Sequence, residues 1–155
     1  MIVRPATVAD LQPINGVIER AVMSWELAER VKRLSLPVYR YTESDLDHLE
    51  LVVAQAGDTT IGVAAWEPAP SGDVPDPRGG LALHGLYVDP QHHGQHVGTR
   101  LLQAAEAAAR TRGLAGVLVK AQREAAGFFR KRGYGAVPVT DAGKDYAHRF
   151  WKALD

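Results

Sequence analysis

The sequence predicts an α/β domain with a mixed sheet, and three observations carry that expectation. Short β-rich apolar runs alternate with helical patterns in the order β-α-α-β-β-β-α-β-α-β-β. One apolar run, Leu81 to Val88, ends at Asp89-Pro90, crosses a polar loop holding Gly94 and Gly98, and opens into an Ala/Leu-rich helix. At 155 residues the chain is most simply one domain, 1–155, large enough to bury a core without cross-links.

Taken in order, Ile2 to Ala6 reads as a first strand. Thr7 and Asp10 supply cap-type side chains, and Leu11, Ile14, Val17, Ile18 and Ala21 recur at helical spacing. Pro13 places the helix start near Ala9 or bends the helix there. A second amphipathic helix is expected from about Ser24 to Leu34, with Pro37 marking an irregular connection to a helical turn at Glu43 to Asp47. Leu49 to Ala56 and Thr60 to Trp66 flank Gly57-Asp58 as a hairpin. Pro68 to Gly80 is rich in Pro, Gly and Ser and reads as an exposed loop. Leu81 to Val88 is the fourth strand. The helix from Val97 to about Thr111 carries an apolar stripe of Leu101, Leu102, Ala105, Ala108 and Ala109 and closes at Gly113. Leu114 to Ala121 is a buried-type strand, Ala125 to Arg132 a short helix, and Tyr134 to Val139 and Tyr146 to Trp151 the closing strands.

Composition narrows the classes of partner. Acidic and basic residues balance at 18 each, so no global field attracts nucleic acid or an anionic membrane. With no cysteine, disulfides, thiolate metal sites and thiol nucleophiles are excluded. The start M-I-V-R-P-A-T lacks a signal-peptide pattern, and no apolar run approaches the roughly 20 residues of a bilayer span. A cytoplasmic location is expected.

The loop from Pro90 to Thr99 joins a strand to a helix N-terminus, where unpaired N–H groups and the positive end of the helix dipole favour a phosphate. A P-loop would place Lys and then Ser or Thr after its last Gly, whereas Thr99-Arg100 follow Gly98. A dinucleotide fingerprint needs G-x-G-x-x-G, which Gly94 and Gly98 do not match. By itself the loop is equally an ordinary strand-to-helix turn.

The wider sequence adds a resemblance. V-D-P-Q-H-H-G-Q-H-V-G-T-R-L-L, residues 88–102, resembles the acetyl-CoA signature of the GNAT superfamily of N-acetyltransferases. I-V-R-P-A-T-V-A-D-L resembles the family's first strand and helix. A-Q-R-E-A-A-G-F-F-R-K-R-G-Y, residues 121–134, resembles its second signature, N-x-x-A-x-x-F-Y-x-K-x-G-F. The resemblance covers the whole chain. It implies a mixed sheet of about seven strands, splayed between the fourth and fifth, with about four flanking helices.

It also implies acetyl transfer from acetyl-CoA to a primary amine, directly within a ternary complex, with no metal. No cysteine is present to carry an acyl intermediate. By position, the Leu86 N–H would serve as oxyanion donor and Val88 would pair with the pantetheine amides, with Tyr87 in the same run. Backbone N–H groups of Gly94, Gln95, His96, Gly98 and Thr99, with His93 and Val97 beside them, would cradle the pyrophosphate. Gln122 and Phe129 are the further cofactor contacts.

Several positions depart from the family pattern. His93 stands where Arg or Gln is usual, which makes a charged contact a titrating one. His96 replaces a common Gly, at a cost on the order of 1 kcal/mol if that position needs a positive φ. His92, His93 and His96 lack the acidic partner of H-E-x-x-H, so metal binding is not expected. Gln122 replaces Asn. Phe129 stands where a Tyr often protonates the leaving thiolate, and a phenyl ring has no proton to give. Core packing is the simpler reading of Phe128, and a pantetheine contact that of Phe129.

Ala82 occupies a position often held by a Glu base. His84, two residues on, shares its face with Ala82 and Leu86, and an imidazole suits the proton transfer. A hydrogen-bonded structural histidine is the equal alternative. Glu67 is the second candidate, against a solvated loop-edge carboxylate. Tyr146 and His148 are further polar groups of a closing strand. Trp25, Tyr39, Tyr41, Trp66 and Tyr87 lie on segments that wall the acceptor side in such folds, although at least half would be core. A small-molecule amine, an amino acid, and a peptide or protein amine all stay open as acceptors. Nucleic acid and membrane are not expected partners, and a homodimer is compatible with the edge strands. The rival from another class is a non-catalytic acyl-CoA-binding sensor or interaction module.

Overall fold

The computed structural model describes residues 1–138 and 148–155. Val139 and Tyr146, ends of the two expected closing strands, lie outside the described residues. The elements are β1 (Ile2–Pro5), α1 (Leu11–Met23), α2 (Glu29–Tyr39), α3 (Glu43–His48), β2 (Glu50–Ala56), β3 (Thr59–Pro68), β4 (Gly80–Val88), α4 (Val97–Thr111), β5 (Gly116–Lys120), α5 (Ala126–Lys131), β6 (Gly135–Ala136) and β7 (Arg149–Ala153). Seven strands form one sheet in the order β1-β2-β3-β4-β5-β7-β6. β4 pairs with β5 in parallel, while β7 runs antiparallel to both β5 and β6. The sheet is therefore mixed, as the sequence predicts. Five helices are described rather than about four, because the turn expected at Glu43 is the six-residue helix α3.

Two compact units emerge: residues 1–65 with 85–104, and residues 66–84 with 105–155. In the first, a single 3-10 turn over Val8–Asp10 leads into α1. The Asp10 carboxylate is buried and accepts from the Thr7 N–H at 2.7 Å and from both guanidinium prongs of Arg4 at 2.8 and 2.9 Å. The Arg4 hydrogen bonds hold its pKa down at about 2, helped by the Thr7 N–H against the opposing effect of burial. Pro13 sits within the first turn of α1, where no N–H is needed.

Ile14, Ile18 and Val22 of α1 pack with Leu51, Val53 and Val63 of the sheet, and Leu36 and Tyr41 complete this core. α2 runs five residues later than the sequence suggests and carries Pro37 in its last turn. The missing N–H there forgoes only a bond to the carbonyl of exposed Arg33, which water can satisfy, while buried Leu36 and the ring of Tyr39 gain packing. Gly62 on β3 is required by close approach: a Cβ there would stand 2.9 Å from Val97 and Leu101 of α4 and 3.3 Å from the Tyr87 carbonyl.

In the second unit, the β4–β5 register runs from Gly80↔Gly116 to Leu83↔Val119. It thus involves only the first part of a nine-residue strand that continues to Val88. Leu81, Val117, Leu118, Phe129 and Phe150 are buried. Glu106 is also buried, and it accepts the Tyr134 hydroxyl at 2.8 Å and the Lys152 ammonium at 3.3 Å. Burial, and next the Glu106 charge, push the Tyr134 phenol far above its ordinary range.

Candidate active site

β4 ends at Val88, and the chain is turned into the loop by Asp89. Asp89 is buried, and its N–H donates to the Ile61 carbonyl at 2.8 Å. One carboxylate oxygen accepts from Arg20 Nε at 2.9 Å and forms an ion pair with Nη2 at 2.9 Å, and the other accepts the Gln91 N–H at 3.1 Å. A single 3-10 turn over Pro90–His92 follows, with Pro90 at its first position. The loop therefore leaves the strand along a path fixed by α1 and β3.

Beyond that turn, His93, Gly94, Gln95 and His96 are exposed. Gly94 has φ 80°, and a Cβ there would meet nothing within 4 Å. His96 has φ 63°, and is the one positive-φ residue other than glycine among those described. The position thus does demand the left-handed conformation, which His adopts more readily than most side chains. The first helical bond of α4 runs from the Arg100 N–H to the His96 carbonyl, so the N–H groups of Val97 and Gly98 precede the ladder. Thr99 lies in the same turn. Two left-handed residues, Gly94 and His96 on either side of Gln95, thus precede a helix N-terminus whose first N–H groups lie outside the ladder, an arrangement suited to an anion. The His92 ring nitrogen Nδ1 lies 3.0 Å from the Gln95 side-chain oxygen, bracing the loop across its tip. Among the described residues no group of three or more His, Cys, Asp or Glu could hold a metal ion.

Just before the loop, Leu86, Tyr87 and Val88 are half-buried. Tyr87 meets Tyr39 edge-on at 6.4 Å, and Tyr39 meets Trp25 at 5.4 Å. Burial, with a smaller effect of Tyr39, pushes the Tyr87 phenol up to about 12. Of the other aromatic residues expected on the acceptor side, Tyr41 and Trp66 are buried.

The second unit contains a cavity of about 260 Å³, lined by Glu67, Asp73, Ala82, His84, Leu118 and Lys120 among others. Alternation along β4 turns Ala82 and His84 to one face, and along β5 does the same for Leu118 and Lys120. The residues singled out for base chemistry, His84 and Glu67, thus line one cavity, with Ala82 beside them. The sequence reading did not find Asp73 or Lys120. Lys120 Nζ stands 4.0 Å from the Asp73 carboxylate, and both side chains are partly exposed. The one signal for Lys120 was a charge closing the apolar run G-V-L-V-K.

Gln122 is exposed, and Phe129 is buried at 4% exposure. The Phe129 ring packs edge-on against Phe128 at 5.1 Å and Tyr134 at 5.7 Å. The core position is therefore Phe129, whereas Phe128 is half-buried beneath the Arg132 guanidinium, 3.7 Å from its ring centre. Helical spacing alone does not distinguish adjacent rings. His148 is half-buried, and its carbonyl accepts the Ala121 N–H at 2.9 Å. Tyr146 lies outside the described residues.

A sequence model of the acetyltransferase (GNAT) family matches residues 19–134. The chain belongs to that family. The match contains β4, the loop, α4 and the segment through Tyr134, so both GNAT signatures seen in the sequence fall inside it. Solved structures repeat this GNAT fold along nearly the whole chain. The PaiA N-acetyltransferase of Thermoplasma acidophilum, in complex with coenzyme A, superposes with a TM-score of 0.79 at 18% identity, covering 99% of this chain and 98% of its own. A GCN5-related N-acetyltransferase from Rhodopseudomonas palustris gives 0.76 at 24% identity, covering 99% and 95%. A GNAT acetyltransferase from Brucella melitensis, in complex with acetyl-CoA, gives 0.69 at 18% identity, covering 99% and 88%. No curated protein matches the sequence well enough to be called a relative. Among the described residues no helix is long and apolar enough to cross a membrane.

Proposed function

We propose that residues 1–155 form one acetyl-CoA-dependent N-acetyltransferase domain that acetylates a primary amine by direct transfer in a ternary complex. The observation that carries this reading is β4, which brings His84 to the cavity shared with Glu67 and runs on through Leu86 to the loop. Bound acetyl-CoA supplies the activated acetyl group as a thioester. The N–H groups of Gly94, Gln95, His96, Gly98 and Thr99 hold its pyrophosphate, with His93 and Val97 alongside. Tyr87, Val88 and Gln122 contact the remainder of the cofactor, while Phe129 stays packed in the core against Phe128 and Tyr134.

His84 accepts the proton that the acceptor ammonium must lose before it can attack, directly or through water. Glu67 attracts that ammonium to the cavity. The Leu86 N–H donates to the carbonyl oxygen as negative charge develops there. Phe129 has no proton to give to the leaving thiolate. A thiol with a pKa near 8.5 leaves tolerably well without one. The coenzyme A and acetyl-CoA complexes of the Thermoplasma and Brucella proteins support the choice of donor.

A second reading, a non-catalytic acyl-CoA-binding module, is favoured by Ala82, which lines the cavity where a carboxylate base would stand. Acetyl-CoA-dependent thiol release over a panel of primary amines separates the two. Turnover on at least one amine is expected, together with thermal stabilisation by coenzyme A. Stabilisation without turnover on any amine would establish the second reading.

A further inference from the structure

The cavity in the second unit carries a positive group that acetyl transfer itself does not use. Lys120 closes β5 and lines the cavity with Glu67, Asp73 and His84. At 4.0 Å its pairing with Asp73 is at the limit of an ion pair, and the two side chains are 55% and 34% exposed. Such a pair is worth at most about 1 kcal/mol and opens readily for a better anion. A cavity of 260 Å³ holds roughly nine waters at ~30 Å³ each, room for a compact molecule of about ten non-hydrogen atoms. A carboxylate on the acceptor would meet Lys120 as a partner in place of Asp73, whereas a second ammonium would have to take Asp73 beside Lys120, a like charge.

We infer that the acceptor is a small aminocarboxylate, its ammonium held at Glu67 and His84 and its carboxylate at Lys120. This rests on the acetyltransferase reading and deepens it, for it disfavours diamines, which carry no carboxylate. Lys120 is then a specificity-determining residue.

The test measures acetyl-CoA-dependent thiol release by the full chain with free α- and ω-amino acids, their carboxamides, and diamines of matched length. An aminocarboxylate is expected to exceed its carboxamide at least ~10-fold in kcat/KM, the scale of a hydrogen bond to a charged group. In Lys120→Met that ratio should fall toward 1, through a higher KM for the carboxylate substrate. Lys120→Arg should restore most of it, and Asp73→Asn, which releases Lys120, should lower that KM. A preference for carboxamides or diamines would overturn the inference while leaving acetyl transfer intact, as would an unchanged ratio in Lys120→Met. Turnover on no amine at all would defeat the acetyltransferase reading, and this inference with it.

Discussion

The loop after β4 and the cavity beside His84 are built from different materials. The loop is made of backbone: two left-handed residues, a helix N-terminus, and a buried aspartate clamped by Arg20. The side chains at its tip, His93, Gln95 and His96, are exposed. The cavity is made of side chains carried on β3, β4, β5 and the segment after β3. A backbone site tolerates side-chain change because its donors are common to every residue. A side-chain site changes its substrate with a single substitution. On the proposed reading, cofactor binding would tolerate change in the loop's side chains, whereas the choice of acceptor would turn on those of the cavity.

The largest expected effect falls on the cavity. His84→Ala should lower kcat by roughly 10²–10³-fold, the range of a lost general base, with the KM for acetyl-CoA changed less than about threefold. An unchanged pH–rate profile in that variant would remove His84 from the chemistry. The opposite pattern is expected in the loop. Arg20→Ala leaves the Asp89 carboxylate buried with the Gln91 N–H as its remaining described contact, so KM for acetyl-CoA should rise about tenfold while kcat is largely kept. Calorimetric titration with coenzyme A checks the binding side. If kcat fell as far as in His84→Ala, the division of labour between loop and cavity would fail.

A third expectation concerns stability alone and serves as a control. The Asp10 pKa is depressed from 3.8 to about 2 in the folded chain, so its contribution is complete above the unfolded value. It is lost as pH falls from about 5 to 2. About 1–2 kcal/mol should disappear over that window, after allowing for water around the partly exposed Arg4, and Asp10→Asn should flatten the acid limb of a denaturation series. At the alkaline end the sign reverses. The raised Tyr87 pKa keeps that phenol protonated when folded, so stability should fall between pH 10 and about 12, and Tyr87→Phe should reduce the fall. The smallest effect returns to the loop. His96→Gly relieves a left-handed side chain against the greater chain entropy of glycine. It should stabilise by about 0.5 kcal/mol, with coenzyme A affinity within twofold. A large loss of affinity would show that the His96 ring, rather than its N–H, makes the contact.

Much of this was legible in the sequence, for a physical reason. The strand and helix periods, the Gly57-Asp58 turn and the Gly94–Gly98 spacing are local signals, and the elements fall close to where those signals place them. α2 is the exception. Pro37 signals a helix end, but the packing of Leu36 and Tyr39 carries the helix through it, and packing depends on residues distant in sequence. The same limit applies to the cavity. His84 could be singled out because alternation relates it to Ala82 two residues away. Asp73 and Lys120 are brought to it from segments 11 and 36 residues removed, by their numbering, and no local pattern joins them. Adjacent Phe128 and Phe129 needed the fold as well, since only the helix orientation decides which ring is buried.

Gly62 gives these regions a further constraint. Nothing about it is chemical, yet Val97 and Leu101 rest where its first side-chain carbon would be. Substituting alanine would add a single methyl group, and the Val97 and Leu101 side chains on α4 would have to give way to it. Val97 also carries one of the N–H groups that precede the α4 ladder, so the proposed anion donors lie directly above an atom that is missing from β3. Tolerance to mutation in this chain should therefore follow clearance beneath α4 more closely than distance from the chemistry.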